Sequence, residues 1–140
     1  MLLHIVARGK IGRSPEAELV ERYLKRVAWP VKMTELADDK RPSPPLPDNS
    51  VSILLDERGR ALPSAELARK LEDWRDRGKR EVRFSIGGAD GHGEEDRSSA
   101  DMLLSFGPAT WPHLLVRSML AEQLFRATSI LANHPYHREG

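Results

Sequence analysis

The chain closes on NHPYHREG, which gathers His134, Tyr136, His137, Arg138 and Glu139 into six residues. These side chains move protons or steady charge. An imidazole titrates near neutrality, so His137 can give or take a proton under ordinary conditions. Tyr136 can hydrogen-bond through its hydroxyl or stack its ring on an unpaired base. Arg138 can hold an anion in its planar fork of donors. His134, His137 and Glu139 would supply three zinc ligands, with no fourth beside them in sequence. A merely solvated tail is the plainer alternative. Upstream, His113 and Arg117 lie one helical turn apart and can share a face. Arg117 there either meets a phosphate or pairs with an acid, while Glu122 reads as an ion-pair partner.

Three other stretches are built like ligand-handling turns: LLDERG, SIGGADG and SFGPATWPH. Asp56 to Gly59 in the first also fits a simple polar turn. The second sets Gly87, Gly88, Gly91 and Gly93 after an apolar run. Glycine lets a ligand approach the backbone, although tight turns need it as well. The spacing G-G-x-x-G-x-G is not a dinucleotide fingerprint, and no Lys-Ser or Lys-Thr follows to make a phosphate loop. In the third, Pro112 suits a first helical position and the amides around it can hold a polar ligand. Trp111 offers a flat wall to that ligand or packs the helix entrance.

The elements that must position these residues are legible from their patterns. LLHIVAR, Leu2 to Arg8, reads as a strand. Ser14 and Pro15 open a helix whose apolar positions Leu19, Val20, Tyr23, Leu24 and Val27 recur at helical spacing until Pro30. VKMTELA is a second strand and DDKRPSPPLPDN a proline-rich loop. Val51 to Gly59 is an apolar strand ending in a turn, of the kind covered on both faces. Ser64 starts a helix with Leu67, Leu71 and Trp74 on one side and Gly78 as its cap. EVRFSIGGADG is a strand entering the glycine turn, HGEEDRSSA holds one helical turn, and DMLLSFG is the last strand. A long helix follows PATWP. This order predicts an α/β fold with a mostly parallel sheet and flanking helices, and open sheets of that class bind ligands at the carboxyl ends of strands.

Composition narrows the function. A chain of 140 residues is one domain, residues 1–140, able to bury about 68% of its unfolded surface. Cysteine is absent, which excludes disulfides and thiolate nucleophiles. No apolar run approaches the length of a membrane span and the start does not resemble a signal peptide, so a cytoplasmic protein without a membrane partner is expected. The 22 basic residues face 21 acidic ones, for a net charge of +1. Any grip on nucleic acid must therefore rest on a local basic patch or on a partner that supplies docking surface.

LDERG, IGGADG, LSFGPATWPHLLVRSMLAEQLFRA and the terminal HPYHRE together resemble the bacterial ribosomal RNA large subunit methyltransferase H family, over the whole chain and in near-unbroken register from Val51 to Glu139. That resemblance implies a SPOUT-class enzyme whose C-terminal segment forms a deep trefoil knot, a rare exception to unknotted chains. It implies methylation of N3 of a pseudouridine in 23S ribosomal RNA within the ribosome, by a homodimer using S-adenosyl-L-methionine and no metal. By the same resemblance the cofactor meets Leu55, Gly87, Phe106, Gly107, Pro108, Ala109, Thr110 and Trp111. Tyr136, His137 and Arg138 then serve catalysis, and His113 and Arg117 the substrate side. The stretch from Asp39 to Ser50 is shorter than in the longer members and proline-rich where they are charged. Another RNA substrate, or a ribosome-binding protein without catalysis, are the alternatives.

Overall fold

The computed structural model describes residues 1–38 and 41–138. The strands are β1 (Leu2–Arg8), β2 (Val31–Leu36), β3 (Val51–Ala61), β4 (Glu81–Ile86) and β5 (Met102–Ser105), and the helices α1 (Pro15–Leu24), α2 (Ser64–Asp76), α3 (Glu94–Ser99) and α4 (His113–Leu131). The sheet runs β2-β1-β4-β3-β5 with every neighbouring pair parallel. Period-two alternation decides its core face. Leu3, Ile5 and Ala7 of β1, Val82, Phe84 and Ile86 of β4, and Val51, Ile53 and Leu55 of β3 join Leu67 and Leu71 of α2 and Leu120 and Leu124 of α4 in one cluster. The long helix α4 packs against both α1 and α2.

The opposite face of the sheet is not a second apolar layer. His4 Nδ1 lies 3.1 Å from Glu81 Oε2, and its Nε2 lies 2.7 Å from Thr34 Oγ1. Arg83 donates through Nε to Glu81 at 3.1 Å and through Nη2 to the Pro45 carbonyl at 3.2 Å. His4, Glu81 and Arg83 are all buried. Prolines have no amide to give, but their carbonyls accept, so a buried arginine ties the proline-rich loop to the sheet.

Several boundaries differ from the sequence expectation. Ser14 does cap α1, its Oγ accepting from the Ala17 amide at 3.2 Å, but the helix stops at Leu24. Val27 continues the apolar spacing through a tighter turn, its amide bonding to the Leu24 carbonyl at 3.2 Å. Gly78 sits one residue past the α2 cap Arg77, at φ +78°, where the left-handed conformation lets Lys79 bond back to Trp74 at 3.0 Å. Pro112 is the residue before α4 rather than its first, which is His113. The turn expected at Asp56 to Gly59 lies inside β3: the strand pairs with β5 up to Leu55, slips, and pairs again from Arg60.

Candidate active site

The carboxyl ends of β3, β4 and β5 open onto one cavity of about 290 Å³. That is near the lower end of the roughly 300–1,000 Å³ of small-molecule sites. The three turns singled out in the sequence converge there. Leu55, Gly87, Phe106, Gly107, Ala109, Thr110 and Trp111 all line the cavity, and His113 joins them; Pro108 does not.

Side chains from distant segments fix the walls. Where β3 slips, Asp56 accepts from the Arg58 amide at 2.9 Å and from Arg97 Nε of α3 at 2.7 Å. Burial pushes the Asp56 carboxyl up, but the Arg97 hydrogen bond, the Arg58 amide and the Arg97 charge outweigh it and hold the group below the usual carboxylate range. Thr110 donates to Glu57 at 2.7 Å, which clasps the third turn to the first. Ser105 Oγ folds the third turn by pairing with the Gly107 amide at 3.0 Å and its carbonyl at 2.7 Å. Trp111 is 42% exposed at the rim, with its indole donating to Phe106 at 3.3 Å. His92 lines the cavity 3.1 Å from the Ser85 carbonyl, and burial pushes its imidazole pKa down. The sequence gives no site role to Asp56, Glu57, His92 or Arg97. LDERG does flag two of them, but Arg97 and His92 sit in a polar stretch with no periodicity to single them out.

The glycine turn is tight for its own sake. A Cβ on Gly87 would come within 2.7 Å of the Gly91 backbone, and one on Gly88 within 1.9 Å of the Asp38 carboxylate. A Gly87→Val change therefore breaks the turn itself, beyond any effect on a ligand. At the cavity's other side α4 begins without a side-chain cap, which leaves its first amides open to a ligand. The first residue there, His113, keeps a buried Nδ1 with no hydrogen-bond partner, its ring held against Gly9.

The remaining assigned residues lie elsewhere. Arg117 is 0% exposed, with its guanidinium paired to Glu35 and donating to the Gly9 carbonyl at 3.1 Å. Of its two readings the acid partner is the one the fold adopts. Burial raises Glu35, but the Ile11 amide and Arg117 together bring its carboxyl below the ordinary range. The tail folds back on α4. The Tyr136 hydroxyl donates to Glu122 at 3.2 Å, its ring lies 4.5 Å from that of Phe125, and Arg126 Nη1 lies 3.1 Å from His137 Nδ1. Glu122 is indeed an ion-pair partner, 2.6 Å from Arg126. Tyr136, His137 and Arg138 do not line the cavity. Among the described residues no three His, Asp or Glu side chains gather to hold a metal; Glu139, one of the zinc candidates, lies outside them.

Residues 1–137 match the family described as predicted SPOUT methyltransferase. Proteins named ribosomal RNA large subunit methyltransferase H are similar along their whole length. The one from Erythrobacter litoralis is 65% identical over 142 residues and the one from Rhizorhabdus wittichii 63% over 140, each alignment covering all of both chains. The chain belongs to the SPOUT methyltransferases, in the ribosomal RNA large subunit methyltransferase H family. This SPOUT methyltransferase also shares its fold with a probable methylase family protein from Haemophilus influenzae Rd KW20, at a TM-score of 0.60 and 14% identity. That match covers 98% of this chain and 70% of the other. No helix of the SPOUT chain, among the described residues, is long and apolar enough to cross a membrane.

Proposed function

We propose that the protein methylates N3 of a pseudouridine in 23S ribosomal RNA, on the assembled ribosome, as a cytoplasmic homodimer using S-adenosyl-L-methionine. The observation that carries this is the meeting of all three turns on one cavity, in a chain whose relatives bear that ribosomal RNA methyltransferase name. The cavity fits such a cofactor. Leu55, Ile86, Leu104 and Phe106 give apolar walls, and the uncapped start of α4 leaves backbone donors for a carboxylate. Leu55, Gly87 and the turn from Phe106 to Trp111 would hold it. Bound there, S-adenosyl-L-methionine supplies an activated methyl on a sulfonium.

The chain's own residues do the rest. The apolar walls exclude water, and the Thr110–Glu57 and Arg97–Asp56 contacts keep the turns in one geometry. An imide nitrogen is protonated at neutral pH, so transfer needs a base at N3. We assign that role to His137, with Arg138 stabilising the negative charge as the proton leaves. Tyr136 keeps its proton, since its hydroxyl is pushed up to about 12; it donates a hydrogen bond or stacks on the base. Within one protomer these groups rest against Glu122, Phe125 and Arg126. Glu122 lies nine residues along α4 from His113, about 13 Å at 1.5 Å per residue. In this reading the tail acts on the cavity of the partner protomer. The deep C-terminal trefoil knot implied by membership of the SPOUT family belongs to the same reading.

The test is mass spectrometry of 23S RNA from cells with and without the gene. The expected result is one methylated pseudouridine that disappears with the gene and returns when purified protein and S-adenosyl-L-methionine are added to the deficient ribosomes. An unchanged 23S RNA, with a methyl group missing from transfer RNA instead, overturns the substrate.

A further inference from the structure

A second groove, of about 590 Å³, lies along the outer edge of the sheet between β5, the far half of β3 and α2. Five cations line it, Arg58, Arg60, Lys70, Arg77 and Lys79, against the single carboxylate of Asp101. In a chain of net charge +1, this is a local concentration of positive charge. We propose that this groove binds the sugar–phosphate backbone of the substrate RNA and leads the strand to the cavity, a proposal that rests on the RNA-methylating function above.

The fold builds the groove from separate segments. Lys70, Trp74 and Arg77 recur at four and three residues along α2, so they share one face. Lys79 is turned onto the same side by the left-handed Gly78. Arg58 and Arg60 come from the slip in β3 that also shapes the cavity. Arg58 lines both spaces, so the groove and the cavity adjoin. The one acid is already engaged, Asp101 Oδ2 accepting from the Ser52 amide at 2.7 Å. Arg60 pairs with Glu66 at 3.4 Å and Arg77 with Asp73 at 3.1 Å. Both are solvent-exposed pairs, which contribute little and exchange readily for a phosphate. Among the described residues no carboxylate forms an ion pair with Arg58, Lys70 or Lys79. A polyanion is the ligand such a surface recognises, and the half-buried Trp74 adds an apolar wall beside it.

The test substitutes Lys70→Gln, Arg77→Gln and Lys79→Gln together and leaves Arg58 intact, because it touches the cavity. Binding of a single-stranded RNA oligonucleotide, and of large ribosomal subunits lacking the methyl group, is measured across a salt series. Removing three phosphate contacts should weaken binding about ten-fold or more and flatten the slope of log affinity against log salt by about 2, at about 0.7 per contact for single strands. Affinity for S-adenosyl-L-methionine by calorimetry should stay unchanged, and the Lys-to-Arg versions should bind as the parent does. If the triple variant is unstable, the single Lys70→Gln and Lys79→Gln chains should each show about a third of the slope change. Parental affinity and slope in a folded variant overturn the groove. The outcomes also separate the two claims. Methyl transfer by the parent, with unchanged KM in the variant, removes the groove and keeps the function. A parent that binds RNA through the groove but transfers no methyl keeps the groove and removes the function.

Discussion

Tyr136 loses water on docking against α4, and burial together with the nearby Glu122 carboxylate lifts its hydroxyl to about 12 from an ordinary 10.0. The sign follows from which form the fold prefers. An unfolded chain releases that proton near pH 10, while the folded one keeps it to about 12, so the tail's docking is complete below pH 10 and weakens as pH rises through that window. Glu122→Gln removes one of the causes, and NMR of ring-labelled tyrosine should then show Tyr136 titrating closer to 10.0. An unmoved titration would mean that Glu122 does not face it. His137→Ala should slow methyl transfer at neutral pH, and raising the pH should recover part of the rate if proton removal is what was lost. A uniform loss at every pH points to binding instead. Arg117 makes a different demand. With no exposure, its buried charge is compensated by the Glu35 carboxylate. Glu35→Gln should cost about 3 kcal/mol, the lower end for breaking a buried pair because the Glu35 side chain is 36% exposed. Urea unfolding measures it, and a loss below about 1 kcal/mol, the range of exposed pairs, would show that water reaches the guanidinium.

Among the elements, β3 is where the backbone has least room. A Cβ on Gly59 would sit 2.5 Å from the Leu103 carbonyl, whereas one on Gly93 meets nothing within 4 Å. Gly59→Ala should therefore push β3 from β5 and lower the denaturation midpoint sharply, beyond about 3 kcal/mol of overpacking strain. Gly93→Ala, at the start of the short α3, should cost about 1 kcal/mol or less, the loss of a good capping residue rather than steric strain. Equal effects would deny the close approach. The same strand shows how far sequence carries. Apolar runs, the Ser14–Pro15 start and the Gly78 stop are local signals, and they located the strands and helices. The return of β3 to the ladder at Arg60 depends on Leu104, more than forty residues later, so DERG could only be read as a turn. Asp56 and Arg97 are likewise 41 residues apart, and Arg83 meets prolines 38 and 39 positions away. The cavity was legible because each of its turns carries its own glycine, proline or tryptophan. The ion pairs bracing it were not, since charge partners across a fold leave no periodic trace.

At the scale of the molecule the tail and the cavity must still be joined. On α4, Leu120 is fully buried in the protomer and cannot serve a dimer contact. Leu115 and Met119 remain, and with Leu19 and Tyr23 of α1 they line a mostly apolar groove of about 270 Å³. Glu122 borders that groove and holds the Tyr136 hydroxyl, so the tail is anchored beside the surface we assign to the partner. In the homodimer we propose, a second copy seated on this groove, which shares Phe106 with the cavity, is what brings each tail to the other chain's site. The decisive experiment mixes two defective chains. One is blocked in the cavity by Ala109→Trp, which fills the lining from an exposed position and spares the glycine turn. The other lacks residues 136–140. Each homodimer should be inactive, the first without cofactor affinity and the second with it. In the purified heterodimer a tail acting in trans gives one site with an intact cavity and an intact tail, so up to half the activity returns. A tail acting in cis leaves one lesion in every site, and nothing returns. A heterodimer that binds S-adenosyl-L-methionine and large subunits yet transfers no methyl would confine the tail to its own protomer, and α4 would then have to release it toward His113.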